Sequence, residues 1–176
     1  MPDELQSVIE PLDEVVDHVR GSEGAKLILE YGDYECPYSR AAYRSIERVE
    51  AQLDGKMRFA FRHYPLTRIH PHALAASLAA EAASLQGLFW EMHDKLFHGQ
   101  KALEDDDLRL YATALELDMK RFDEDRWSEP VVERIERDIR SAIASDEVFG
   151  TPTLFIDGVL HSGGHDVDTL LRALES

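Results

Sequence analysis

The chain's single cysteine stands where an apolar run meets a proline, in Tyr31-Gly32-Asp33-Tyr34-Glu35-Cys36-Pro37-Tyr38-Ser39. Lys26 to Tyr31 is a short apolar run bounded by glycines, the pattern of a buried strand. Beyond Pro37, the positions Ala42, Ile46, Val49 and Leu53 recur at helical spacing until Gly55. Proline suits the opening of a helix, so Cys36 falls at the first turn of a helix of about four turns. Orphan amides and the positive end of the helix dipole favour a thiolate there. Ser39 occupies the place where a second cysteine would complete a Cys-x-x-Cys redox pair. Its hydroxyl is expected to donate a hydrogen bond to the thiolate, while the neighbouring Glu35 carboxylate opposes a second negative charge.

The rest of the chain supplies a frame for this junction. Met57 to Tyr64 alternates large apolar with small or polar residues, a strand pattern ended by Pro65. Strand, helix and strand in that order predict a parallel pair. Between residues 67 and 147 the periodicity is helical, in four segments. These are Ala73 to Leu85, a segment after Gly87 with Phe89, Met92, Leu96 and Phe97 on one face, a third marked by Leu108, Tyr111, Ala112 and Leu115, and a longer fourth around Val132, Ile135, Ile139, Ala142 and Ile143. An insertion of that length is expected to act as a lid or cap. Asp157-Gly158 between Thr153–Ile156 and Val159–His161 signals a hairpin with a type I′ turn. Val167, Leu170, Leu171 and Leu174 mark a last helix that Asp166 can cap. The reading is therefore an α/β chain with a mixed sheet of four to five strands: an arm over 1–24, a sheet domain from 25–66 and 148–176, and a helical insertion over 67–147.

The net charge of -16 argues against nucleic acid and anionic membrane surfaces as partners. No run reaches the roughly 20 apolar residues of a membrane span, and the opening Met-Pro-Asp-Glu-Leu-Gln is acidic, unlike a secretory leader. A single cysteine permits no internal disulfide and suits a reducing compartment, so the cytoplasm is the expected location. Eight histidines are present, but His70-x-His72, His93 with His98, and His161-x-x-x-His165 are loosely spaced without a second cysteine, so no metal is expected. His63 reads as a packed or hydrogen-bonded histidine and not as a base for Cys36.

Several motifs together carry a resemblance to a known family. The strand-Tyr-Gly-Asp-Tyr-Glu-Cys-Pro-Tyr-Ser junction, Phe61-Arg62-His63-Tyr64-Pro65-Leu66, His70-Pro71-His72-Ala73, Phe89-Trp90-Glu91-Met92-His93-Asp94 and Gly150-Thr151-Pro152-Thr153 resemble the DsbA-like branch of the thioredoxin superfamily. The likeness runs from about His18 onward, and is greatest to thioredoxin-like domains found alone or appended to some bacterial sodium/proton antiporters. It implies a thioredoxin fold with the helical insertion between the second strand and a strand opened by a cis-proline. That proline would be Pro152, preceded by Thr151, facing the motif at Cys36, Pro37 and Ser39.

The resemblance implies a thiol-disulfide oxidoreductase, and Ser39 restricts it to monothiol chemistry. Cys36 is the expected nucleophile, with Ser39 and Pro37 tuning it. Thr151 and Pro152 would shape a docking edge, and Tyr34 and Tyr38 either form an aromatic rim for a client or pack as half-buried residues. No cofactor is implied beyond a glutathione-like small thiol as co-substrate, and the expected partners are thiol-containing proteins or small thiols. Two other classes stay open at this point: a non-catalytic binding module using the groove beside Pro152, and a peroxide or redox sensor cycling Cys36 through sulfenic acid.

Overall fold

Strand β2 (Leu27–Gly32) is buried along its whole length, as a glycine-bounded apolar run at the middle of a sheet must be. The computed structural model describes residues 9–176, so the first eight residues of the predicted arm lie outside the described residues. β2 pairs in parallel with β3 (Arg58–His63), Leu29 opposite Ala60. On its other side it pairs antiparallel with β4 (Thr153–Ile156), Leu29 opposite Phe155. The hairpin to β5 (Val159–Leu160) turns at Asp157 and Gly158, whose φ values of 47° and 82° are both positive, as the I′ geometry demands. The arm contributes a strand that the sequence pattern does not announce, β1 (His18–Gly21), antiparallel to β3. Its four residues, His-Val-Arg-Gly, offer one apolar side chain, too little for a period to register. Gly21 at its end has φ of 106°, and a Cβ there would lie 1.9 Å from the Met57 carbonyl oxygen. The sheet runs β1-β3-β2-β4-β5, a thioredoxin-like arrangement.

Helix α1 (Pro37–Gln52) follows the cysteine as predicted. The 67–147 segment folds into five helices instead of four: α2 (Ala73–Ser84), α3 (Phe89–His98), α4 (Asp105–Ala114), α5 (Met119–Asp125) and α6 (Glu129–Ser145). The unforeseen α5 is seven residues long and begins at Asp118, whose carboxylate accepts the Arg121 amide. Helix α7 (Val167–Glu175) starts at Asp166, which accepts the Thr169 amide as predicted.

Period two along β2 sends alternate side chains to opposite faces. Ile28 enters a core with Tyr43, Ile46 and Val49 of α1, Met92 and Phe97 of α3, and Leu170 of α7. Leu27, Leu29 and Tyr31 join Phe155 and Ala142 of α6 on the other face. The reading of the inserted helices as a lid gives way here, because α2 to α5 share one core with one face of the sheet and Ala142 of α6 packs in the core on the other. Alanine-rich α2 makes this possible: its small side chains let it bury most of its circumference between α3 and α6.

A buried ion pair ties the arm to this frame. Arg62 donates from Nε and Nη2 to the two carboxylate oxygens of Asp17, each at 2.9 Å, and from Nη1 to Tyr31 Oη and the Glu10 carbonyl. Arg137 of α6 donates to Asp17 at 3.0 Å. Burial alone would push the Asp17 carboxyl up, but these hydrogen bonds outweigh it and hold the group well below the usual carboxylate range. Asp17→Asn would strand the Arg62 charge, so we expect a loss of about 3–5 kcal/mol in urea unfolding at neutral pH. A change under about 1 kcal/mol would mean that the pair is dispensable.

Candidate active site

Cys36 occupies the N-cap of α1 with extended backbone angles, and Pro37 opens the first turn. The loop before it is braced by one buried side chain, Asp33. The Asp33 carbonyl accepts the Cys36 amide at 3.1 Å, its Oδ1 accepts the Glu35 amide at 2.8 Å, and its Oδ2 accepts the Leu66 amide at 2.9 Å and pairs with His70 Nδ1 at 2.7 Å. Gly32 supplies the close approach that lets the loop leave the sheet: a Cβ there would lie 2.4 Å from the Phe61 ring. From the inserted helices, Gln100 Nε2 donates to the carbonyls of Tyr34 (2.9 Å) and Cys36 (2.8 Å).

The two halves of the predicted site meet. Cys36 Sγ lies 3.4 Å from the Thr151 carbonyl oxygen, toward which its thiol donates, although the residues are 115 apart in sequence. The Thr151–Pro152 peptide bond is cis. Thr151 Oγ1 is buried with no hydrogen-bond partner among the described residues. Cys36 itself is only 3% exposed, so the sulfur sits at the floor of the site and not on its rim.

Three expected roles change. Ser39 is fully buried, and among the described residues its hydroxyl bonds to the Asp33 amide at 3.2 Å, not to Cys36. The loop turns back over α1, which brings that amide to the hydroxyl before the sulfur. Tyr34 is no rim residue: it is 0% exposed, with its hydroxyl 2.9 Å from His93 Nδ1 in the aromatic core. It follows Asp33 directly, and the Asp33 anchor turns it inward. Tyr38, at 74% exposed, is the accessible aromatic beside the cysteine, and Phe149, 80% exposed and two residues before Thr151, is another exposed aromatic near the second half of the site in sequence. Glu35 does not face the thiol alone, since its two carboxylate oxygens hold the His72 amide at 2.6 Å and His72 Nδ1 at 2.9 Å. That hydrogen bond raises the His72 pKa, so an imidazolium forms more readily beside the carboxylate.

Beneath the site lies Glu30 on β2, two residues before Gly32 and on the same face. Both of its carboxyl oxygens are buried without a hydrogen-bond partner among the described residues. Burial pushes this carboxyl up from 4.5 to about 8, so it is mostly protonated at neutral pH. Asp33, Glu30 and Gln100 escaped the sequence reading; only Asp33 carried a local signal, an acidic side chain two residues before the amide it caps. His63 is packed and hydrogen-bonded as expected, its Nε2 2.7 Å from Glu81 Oε1. The same oxygen lies 2.7 Å from His18 Nε2, and these three side chains are the one His/Cys/Asp/Glu cluster among the described residues able to converge on a metal ion.

The model of the family described as Thioredoxin matches residues 13–176. The chain belongs to this family. Among curated proteins it is 43% identical over 172 residues to the Na(+)/H(+) antiporter NhaA 1 of Mycolicibacterium vanbaalenii, a match covering 96% of this chain and 28% of the antiporter. The NhaA antiporter of Herminiimonas arsenicoxydans is 42% identical over 175 residues, again with 98% of this chain and 28% of the antiporter covered. The chain thus spans less than a third of the length of these relatives. Among solved structures, oxidised BdbD from Bacillus subtilis superposes with a TM-score of 0.81 at 20% identity, over 96% of each chain. The thiol-disulfide exchange protein alpha-DsbA2 of Wolbachia pipientis gives 0.77 at 20% identity, over 92% of this chain and 87% of that one. The DsbA-like thioredoxin fold expected from the sequence is therefore the fold of this chain. No helix among the described residues is long and apolar enough to cross a membrane.

Glu30 makes stability depend on pH in a definite direction. Its folded value lies above its ordinary one, so its contribution is full below about 4.5 and declines as pH rises toward about 8. Glu30→Gln removes that slope. Unfolding in urea at a series of pH values should show the variant gaining on the natural chain by roughly 3 kcal/mol between pH 4.5 and about pH 7. A constant difference across that range would overturn the assignment of a neutral buried carboxyl.

Proposed function

We propose that this chain is a thiol-disulfide exchange protein of monothiol type, with Cys36 as its nucleophile. The observation that carries the reading is the meeting of Cys36 Sγ, at the N-terminus of α1, with the Thr151 carbonyl 3.4 Å away. The Cys36 thiolate attacks one sulfur of a disulfide, forming a mixed disulfide and releasing the other sulfur as a thiolate. Ser39 cannot break that bond, so an external thiolate must attack it, which regenerates Cys36 and leaves the client sulfur joined to the incoming thiol. Each step exchanges one S–S bond for another, and no electron leaves the sulfurs involved. A glutathione-like thiol is the natural resolving partner in a reducing compartment such as the cytoplasm, and thiol-bearing proteins are the clients. Exposed Tyr38 and Phe149, each two residues in sequence from Cys36 or Thr151, are the accessible aromatics available to an extended client.

Intact-mass measurement after incubation with oxidised glutathione tests this reading. We expect one glutathione adduct per chain, none on Cys36→Ser, and its removal by excess reduced glutathione. An unmodified Cys36 would sink the proposal. Ser39→Cys should then release the adduct without added thiol, because the new cysteine attacks the mixed disulfide from within.

A second reading has its own support, the 3% exposure of Cys36. A sulfur so covered suits a module that binds partners at the Thr151 edge without turnover. Under that reading Cys36→Ala retains its partners in a pull-down, whereas exchange chemistry predicts that the covalently held ones disappear.

A further inference from the structure

His18, Glu81 and His63 come from β1, α2 and β3, and no two of them are close in sequence. Their side chains are 14%, 6% and 0% exposed. Glu81 Oε1 lies 2.7 Å from Nε2 of both imidazoles, and the three ligand-type atoms all fall within 4.8 Å of one another. From these positions we infer that the three residues form a binding site for a divalent transition-metal ion of the zinc class, held by two imidazole nitrogens and one carboxylate oxygen. Two imidazoles with one glutamate are a ligand set that zinc accepts, with a further position left for water.

Three features of the surroundings suit a bound ion. Glu81 is the only charged side chain of α2, a helix of Ala, Leu and Ser that buries most of its surface. A carboxylate placed there needs compensating positive charge, which a protonated imidazole or a metal can supply. Two imidazole nitrogens also approach a single oxygen of Glu81, so the three ligand-type atoms already share one small volume. Lastly, the ligands are preorganised from outside. The His18 ring stacks on Phe89 at 3.5 Å and 7°, and the His63 backbone amide is held by Asp138 at 2.8 Å. His63 Nδ1 is buried without a partner among the described residues, so no acceptor there competes for the ring, and a metal at Nε2 would take the place of the proton now shared with Glu81.

Metal binding requires both Nε2 lone pairs, so any proton on those atoms moves to Nδ1 or leaves to solvent. The ion would clasp β1 and α2 to β3 and so fasten the arm that the rest of the sheet leaves at an edge. Cys36 is not among its ligands.

Calorimetric titration of the chelator-stripped full chain with zinc chloride is the direct test, paired with cobalt chloride for its visible spectrum. The expected result is one zinc per chain, a cobalt spectrum without sulfur-to-metal charge transfer, undiminished binding in Cys36→Ser, and a rise in melting temperature with zinc. His18→Gln, at the most exposed ligand, and Glu81→Gln should each weaken binding at least about tenfold, the least that losing even an outer-shell partner costs a metal site. Circular dichroism of each variant keeps a folding failure apart from a binding failure, and His18→Gln alone decides if Glu81→Gln does not fold. Absence of saturable binding, binding unaffected by His18→Gln, or binding lost in Cys36→Ser would each overturn the assignment.

Discussion

One buried carboxylate, that of Asp33, holds together the chain segments that make a site around Cys36. It closes the loop after β2 through the Glu35 amide, fastens the exit of β3 through the Leu66 amide, and draws in His70 from the approach to α2. Charge-assisted hydrogen bonds of this kind are about twice as strong as neutral ones. Their shared acceptor makes the three segments one unit. The sulfur's position at the N-cap is a consequence, since the loop can place Cys36 there only while its other end is held.

The chain carries buried carboxylates in two opposite conditions. Asp17 is surrounded by guanidinium groups and stays ionised, whereas Glu30 has no hydrogen-bond partner among the described residues and takes a proton. Burial raises both; what differs is whether donors reach the oxygens. Glu81 falls with Asp17, because burial is outweighed by hydrogen bonds from His18 and His63. Folding stability therefore draws on acids that must be charged and on one that must not be, and their pH dependences run in opposite directions.

Much of this was legible in the residues themselves. The Cys36–Pro37 junction and the Asp157-Gly158 hairpin are local patterns, written within a dozen residues each, and the parallel pair follows from the order strand, helix, strand. The strand β1 was not legible because its pairing partner lies about forty residues away and its own four residues hold one apolar side chain. The inward turn of Tyr34 and the convergence of His18, His63 and Glu81 share that cause. Each depends on a contact between distant segments, which periodicity and spacing do not encode. Helix α5 was missed for a different reason: a seven-residue helix is too short to show a period.

Gln100 sits in the turn after α3, far in sequence from the cysteine, yet its amide group reads the carbonyl oxygens on either side of Glu35. Those two oxygens face the same donor, so the Tyr34–Glu35 and Cys36–Pro37 peptide planes are set by the turn and not by the loop alone. The inserted helices therefore act on the sulfur's backbone through a single amide group. Insertions or deletions in the α3–α4 turn would shift the Gln100 amide and with it the Cys36 carbonyl, even though no side chain of the cysteine loop had changed.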